Sequence, residues 1–116
     1  MLQAVRFEDA EVFQLTNRQV RYLIGPKTAD TQRVTMGVCN WKPGAAPAHV
    51  HTDEEEIIYI VSGSGTITAP EGPIDLTPGT AVLIQPGTSH YITGHGPEDL
   101  VFVTVFSPPV VFGAYK

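Results

Sequence analysis

Cysteine occurs once in this chain of 116 residues, at Cys39. No internal disulfide can form, and the cysteine-rich zinc sites that staple small domains are excluded. A lone thiol within an apolar strand reads as a small buried hydrophobe, and its isolation fits a reducing, cytoplasmic compartment. Positive charge is also scarce: 7 Lys and Arg stand against 12 Asp and Glu, for a net charge of −5, and the basic residues are scattered. That pattern argues against a nucleic-acid surface, yet a local cation could still overrule the global sign for a polar-headed small molecule. Long apolar runs are missing, and none approaches the roughly 18–20 residues that span a bilayer. The opening residues, Met1 to Ala10, show no charged head followed by an apolar stretch, so no secretory leader is expected. Sustained helical periodicity, internal repeats and low-complexity segments are lacking as well.

Punctuation, by contrast, is plentiful. The 11 glycines and 10 prolines divide the chain into short β-branched and aromatic segments. Turns at intervals of about 8–12 residues are the mark of an all-β sandwich or barrel. The length suits one domain, 1–116, with N-terminal strands in 1–32, a core barrel in 33–106 and an extended tail in 107–116. Strands are expected at 2–7, 10–15, 18–24, 33–41, 56–61, 66–69, 74–76, 81–84, 90–93 and 100–106. Ser62-Gly63-Ser64-Gly65 reads as a tight hairpin, with Thr66–Ala69 answering Glu56–Val61 as partner strand.

The chemistry gathers at His49-Val50-His51. Two histidines one residue apart project from the same side of an extended chain, with Cβ atoms roughly 6–7 Å apart. Glu56 opens the strand that follows, and His90 stands beyond the Pro86-Gly87 corner. Three imidazoles and a carboxylate suit a borderline divalent ion: Zn, Cu, Fe or Ni, with the carboxylate extending the range to Mn. Four ligands on a six-coordinate ion leave two positions for water or substrate. A His-x-His pair alone carries little weight, since such pairs recur by chance.

The surroundings of these residues resemble the two motifs of the cupin superfamily. Gly44, His49, His51, Glu56 and Gly63 follow the order of the first motif, and Gly79, Gly87 and His90 that of the second. The chain departs from the pattern in places. Gly44 stands four residues before His49 rather than five, four residues rather than three separate His51 from Glu56, and Gln85 and Gly94 replace a proline and an asparagine. The extra residue before Glu56 flips side-chain parity. A β-bulge must restore it if Glu56 is to face the histidines, whereas Glu55 would keep parity without one. Asp53 and Glu54 are expected in solvent, and His95, flanked by glycines, outside the ligand set.

The resemblance implies a double-stranded β-helix, a jelly roll or conical barrel, with one ion inside and His49, His51, Glu56 and His90 as ligands. It implies a homodimer and a metal-dependent enzyme, foremost of the dioxygenase kind, acting on a chelating enol, diol or carboxylate. A non-redox isomerase or lyase and a non-catalytic binding module are the alternatives. Glu56 or Glu55 could carry a proton. With Glu56 inward, alternation brings Ile58 and Ile60 inward too, and His90 brings Ile92. Phe102, Thr104 and Phe106 share one face of the last strand, opposite Val101, Val103 and Val105, so a mainly apolar wall is expected around the ion. The apolar tail Val110-Val111-Phe112 could dock on a partner or on its own barrel.

Overall fold

Residues that alternate between apolar and polar along each strand assemble into two antiparallel sheets in the computed structural model, which describes residues 1–114. The strands, in chain order, are β1 (Val12–Leu15), β2 (Arg18–Ile24), β3 (Thr35–Trp41), β4 (Gly44–Ala45), β5 (Glu55–Ser62), β6 (Gly65–Ala69), β7 (Gly72–Leu76), β8 (Ala81–Ile84), β9 (Tyr91–Gly94) and β10 (Leu100–Ser107). The larger sheet runs β1-β2-β3-β10-β5-β8 and the smaller β4-β9-β6-β7. Their inner faces meet in a core that buries Trp41, Ile58, Ile60, Leu76 and Leu100. This is the all-β jelly roll.

β10 shows why the strands form where they do. Leu100, Phe102, Thr104 and Phe106 are buried while Val101, Val103 and Val105 are half-buried, so the strand is apolar on both faces. Such a strand belongs in mid-sheet, and it pairs with β3 on one side and β5 on the other. Ile58, Ile60 and Ile92 all point inward, as alternation demands.

Two expectations fail, each for a physical reason. Residues 2–7 form no strand: Met1 and Leu2 stand in solvent, so their alternation has no core to face. Phe7–Asp9 instead closes a single 3-10 turn, with the Arg21 guanidinium 4.4 Å above the Phe7 ring. The glycine-rich link at 62–65 does not make a hairpin, because β5 and β6 belong to different sheets. β6 pairs with β7 and β9 instead. Gly63 lets the chain cross between sheets: its φ is +80°, and a Cβ there would collide with the Asp99 carbonyl oxygen. The tail takes the second of its two expected courses and packs on its own barrel. The Thr35 hydroxyl donates to the Val110 carbonyl at 3.0 Å, and the Phe112 ring stacks on Tyr22 with centroids 4.5 Å apart. The part of the expected tail at 115–116 lies outside the described residues.

Candidate metal centre

The two histidine-bearing segments are joined backbone to backbone. His49 N–H donates to the His90 carbonyl at 3.0 Å, and His90 N–H donates back to His49 at 3.1 Å. Gly87 N–H donates to the His51 carbonyl at 2.8 Å, so the Pro86-Gly87 corner fastens onto the first motif. These bonds bring three imidazoles from remote positions into one cluster. Ring centroids lie 4.9 Å apart for His49 and His51, 4.6 Å for His49 and His90, and 5.2 Å for His51 and His90. One nitrogen from each ring lies within 4.8 Å of the others. The His90 Nδ1 lies 2.9 Å from the Thr88 carbonyl oxygen. A carbonyl can only accept, so Nδ1 carries the proton and Nε2 presents its lone pair to the cluster.

The carboxylate facing this cluster is Glu56. It is buried, whereas Glu55 is exposed on the outer face of β5. The expected β-bulge does not supply the change of parity: the one register shift between β5 and β10 falls between Val101 and Phe102, at the far end of β5. The chain bends at Thr52–Asp53 instead, and β5 starts afresh at Glu55. Glu56 Oε1 lies 3.1 Å from His51 Nε2 and 4.0 Å from His90 Nε2. Its other oxygen accepts a hydrogen bond from the Thr104 hydroxyl at 2.5 Å. Thr104 thereby orients the carboxylate so that Oε1 turns toward the rings. Of the neighbouring acids, Asp53 is exposed as expected, but Glu54 is buried and its Oε2 accepts from the Asp53 N–H at 3.2 Å. His95 lies outside the cluster, exposed, with Nε2 2.7 Å from the Thr66 hydroxyl.

Burial sets the protonation of the cluster. Desolvation, reinforced by His90, His51 and Arg18, pushes His49 down from 6.5 to about 4. Desolvation also lowers His90, against opposing pulls from the Thr88 carbonyl and Glu56. Both rings are therefore neutral at pH 7, the form that binds a metal. Cys39 lines the same cavity, and burial raises its thiol far above the usual range, so it stays protonated and inert.

The cavity has a volume of about 40 Å³ and opens in part to solvent. Its wall is largely apolar, with Leu15, Val20, Trp41, Ile92, Phe102 and Phe106 contributing. It also holds a cation that sequence reasoning passed over. Arg18 is 5% exposed and lines the cavity beside the histidines and Glu56. The signal was present in the chain: Arg18 shares strand parity with Val20 and Tyr22, both buried. Thr104 stands on the inward face it was expected to share with Phe102 and Phe106, and its contact with Glu56 is what the sequence did not show.

The donor set fits a divalent ion. Two lone-pair-bearing atoms at 3.1 Å, His51 Nε2 and Glu56 Oε1, need a cation or proton between them. Two ligands at right angles, each about 2.1 Å from an ion, would sit roughly 3 Å apart. The three nitrogens spread by up to 4.8 Å, against roughly 4.2 Å for opposite ligands on one ion, so the rings stand slightly wider apart than they would around it.

A family model described as "Cupin domain" matches residues 37–106. No curated protein matches the chain. Among solved structures, an ectoine synthase from P. lautus superposes with a TM-score of 0.83 at 19% identity, over 95% of this chain and 80% of that one. A protein described as a predicted oxalate decarboxylase from Thermotoga maritima gives 0.79 at 22% identity, over 91% and 99%. KdgF from Halomonas sp. gives 0.77 at 20% identity, over 93% and 94%. At such identities these structures speak for the fold, and the family model covers more than half of the chain. Two sheets, two linked histidine segments and a matching domain model lead to one assignment: the chain belongs to the cupin family.

Proposed function

We propose that the chain is a metal-dependent enzyme in which His49, His51, His90 and Glu56 hold one divalent ion, and that it transforms a small chelating molecule without redox chemistry. The observation that carries this reading is the approach of Glu56 Oε1 to His51 and His90 inside a cavity that opens to solvent. A divalent ion in this place supplies Lewis acidity, polarising an enol, diol, keto or carboxylate oxygen. The residues do the rest. Thr104 holds one oxygen of Glu56 and leaves the other directed at the rings. The Thr88 carbonyl fixes the tautomer of His90. Phe102, Phe106 and Trp41 exclude water from the inner wall. Glu56 is the carboxylate placed to take or return a proton, while Glu55, on the outer face, has no access to the cavity.

The dioxygenase reading stands second. Its support is the four-ligand set itself, which leaves positions for substrate and dioxygen on a six-coordinate ion. None of the neighbours named, a predicted oxalate decarboxylase, an ectoine synthase and a polyketide cyclase, is called a dioxygenase, which is why that reading is placed second. The test begins with elemental analysis of protein purified without added metal, where about one ion per chain is expected. Enol, diol and keto-acid substrates are then screened under air and under nitrogen. Equal turnover in both supports the non-redox enzyme; turnover only with oxygen uptake supports the dioxygenase. Absence of stoichiometric metal refutes both.

We also propose that the chain acts as one cupin unit, in the cytoplasm, as a homodimer. The dimer's support is the outer face of β5 and β8, where Ile57, Tyr59, Val61 and Leu83 each stand roughly half exposed. β5 and β8 pair Ile57 with Leu83, so these side chains form one contiguous apolar patch. Among the described residues no helix is long and apolar enough to cross a membrane.

A further inference from the structure

Arg18 is held in place from several directions. Its strand begins directly after Asn17, whose φ of +62° turns the chain from β1 into β2. The Asn17 side chain donates to the Lys42 and Gly44 carbonyls at 3.1 and 3.3 Å, tying this turn to the corner after β3. The Arg18 Nη1 donates to the Thr16 carbonyl at 2.9 Å, and the guanidinium carbon lies 5.0 Å from the centre of the Trp41 ring. Trp41 is itself fixed by a hydrogen bond from its Nε1 to the Gly44 carbonyl at 3.1 Å. A guanidinium so mounted keeps its plane, and it keeps its charge, because arginine does not give up its proton in proteins.

Packing alone does not call for a cation here. Leu or Met would fill the same wall without the desolvation cost of a buried charge. The location supplies a reason: Arg18 lines the cavity that contains His49, His51, His90 and Glu56. Arg18 and Glu56 offset one another, so a bound divalent ion leaves the cavity doubly positive within a chain of net charge −5. Such a cavity concentrates small anions against the sign of the surface.

We propose that Arg18 is the specificity-determining residue of this site: it pairs with a carboxylate of the substrate, whose other end chelates the ion. This rests on the metal-site reading above and narrows the substrate to small anions with a chelating group and a second, carboxylate end. The guanidinium fork donates two parallel hydrogen bonds to a carboxylate, so Arg18 selects the anion and fixes its orientation. A neutral chelator of equal size loses those bonds.

The experiment uses two hydroxamate probes with the same metal-binding head: acetohydroxamate, which is neutral at its far end, and succinic monohydroxamate, which ends in a carboxylate. On metal-loaded wild-type protein, calorimetry is expected to show the carboxylate probe binding about 10- to 100-fold more tightly. In Arg18→Met that preference, read as the ratio of the two affinities, disappears, and Arg18→Lys keeps part of it. Malonic and glutaric monohydroxamates bracket the span between ion and guanidinium. No preference for any carboxylate probe in the wild type overturns the assignment even if Arg18→Met does not fold, and an undiminished preference in Arg18→Met overturns it too. Acetohydroxamate binding that is the same with and without metal would instead sink the metal-site reading. A carboxylate preference that then persisted and vanished in Arg18→Met would leave the anion-binding role of Arg18 standing.

Discussion

Replacing Thr104 by Val tests whether Glu56 belongs to the metal centre, because the substitution keeps the shape of the side chain and removes one donor. Thr104 and Glu56 are both buried, on adjacent strands, and the hydroxyl donates to Oε2 at 2.5 Å. A hydrogen bond to a charged group contributes about 1.5–3 kcal/mol, and its loss leaves a buried acceptor without that donor. In metal-free Thr104→Val that loss should lower the melting temperature by about 5–15 °C for a domain of this size. The more specific effect is on the metal. With Oε2 released, Oε1 loses its fixed direction toward His51, and affinity should fall about 10- to 100-fold, the usual consequence of removing a group that orients a ligand. Competition against a chromophoric chelator measures that affinity, while Thr104→Ser, which restores the hydroxyl, should recover most of it. Unchanged metal affinity in a folded Thr104→Val protein would show that Glu56 does not ligate as oriented, and the four-ligand description would fall.

Three further outcomes follow from the same geometry. His90→Ala should lose most of the bound metal yet keep the β-type circular dichroism spectrum; stoichiometric metal in this variant would remove His90 from the ligand set. In metal-free protein, His49 has its folded value lowered from 6.5 to about 4, so the unfolded chain binds the extra proton between those values. The stability it contributes is therefore complete above about pH 6.5 and is lost as pH falls toward 4: at most about 3 kcal/mol, and nearer 2 after allowing for solvent around the half-buried ring. Urea titrations of wild type and His49→Asn across that range check the sign and size, and a wild-type curve no steeper than the variant's would refute the assignment. Tyr59→Glu, which places a charge in the exposed apolar patch on β5, should convert a dimer to a monomer in light scattering while leaving metal content unchanged.

The chain announces its fold class through turn spacing and alternation, both of which are local. The inward set Ile58, Ile60 and Ile92 could be named without coordinates because strand parity is a two-residue property. Arg18 was legible by the same parity and was passed over, since a charged residue at a strand end is ordinarily read as solvated. Strand parity alone favoured Glu55, while the spacing of the following strand to Gly63 favoured Glu56. The inward turn of Glu56 comes from the bend at Thr52–Asp53, where parity counting stops because the chain leaves the extended conformation.

Residue types and order alone determined an all-β chain carrying three histidines and a carboxylate in two remote segments. Tertiary structure decided what those segments do to one another. It bridged His49 to His90, set Thr104 behind Glu56, brought Arg18 into the same cavity and sent β5 and β6 into different sheets. The reason is one of range. Alternation and turn chemistry act between neighbours in sequence, whereas hydrogen bonds and charge act across space, and only the closed barrel brings residues as far apart as Arg18 and Thr104 to a shared wall.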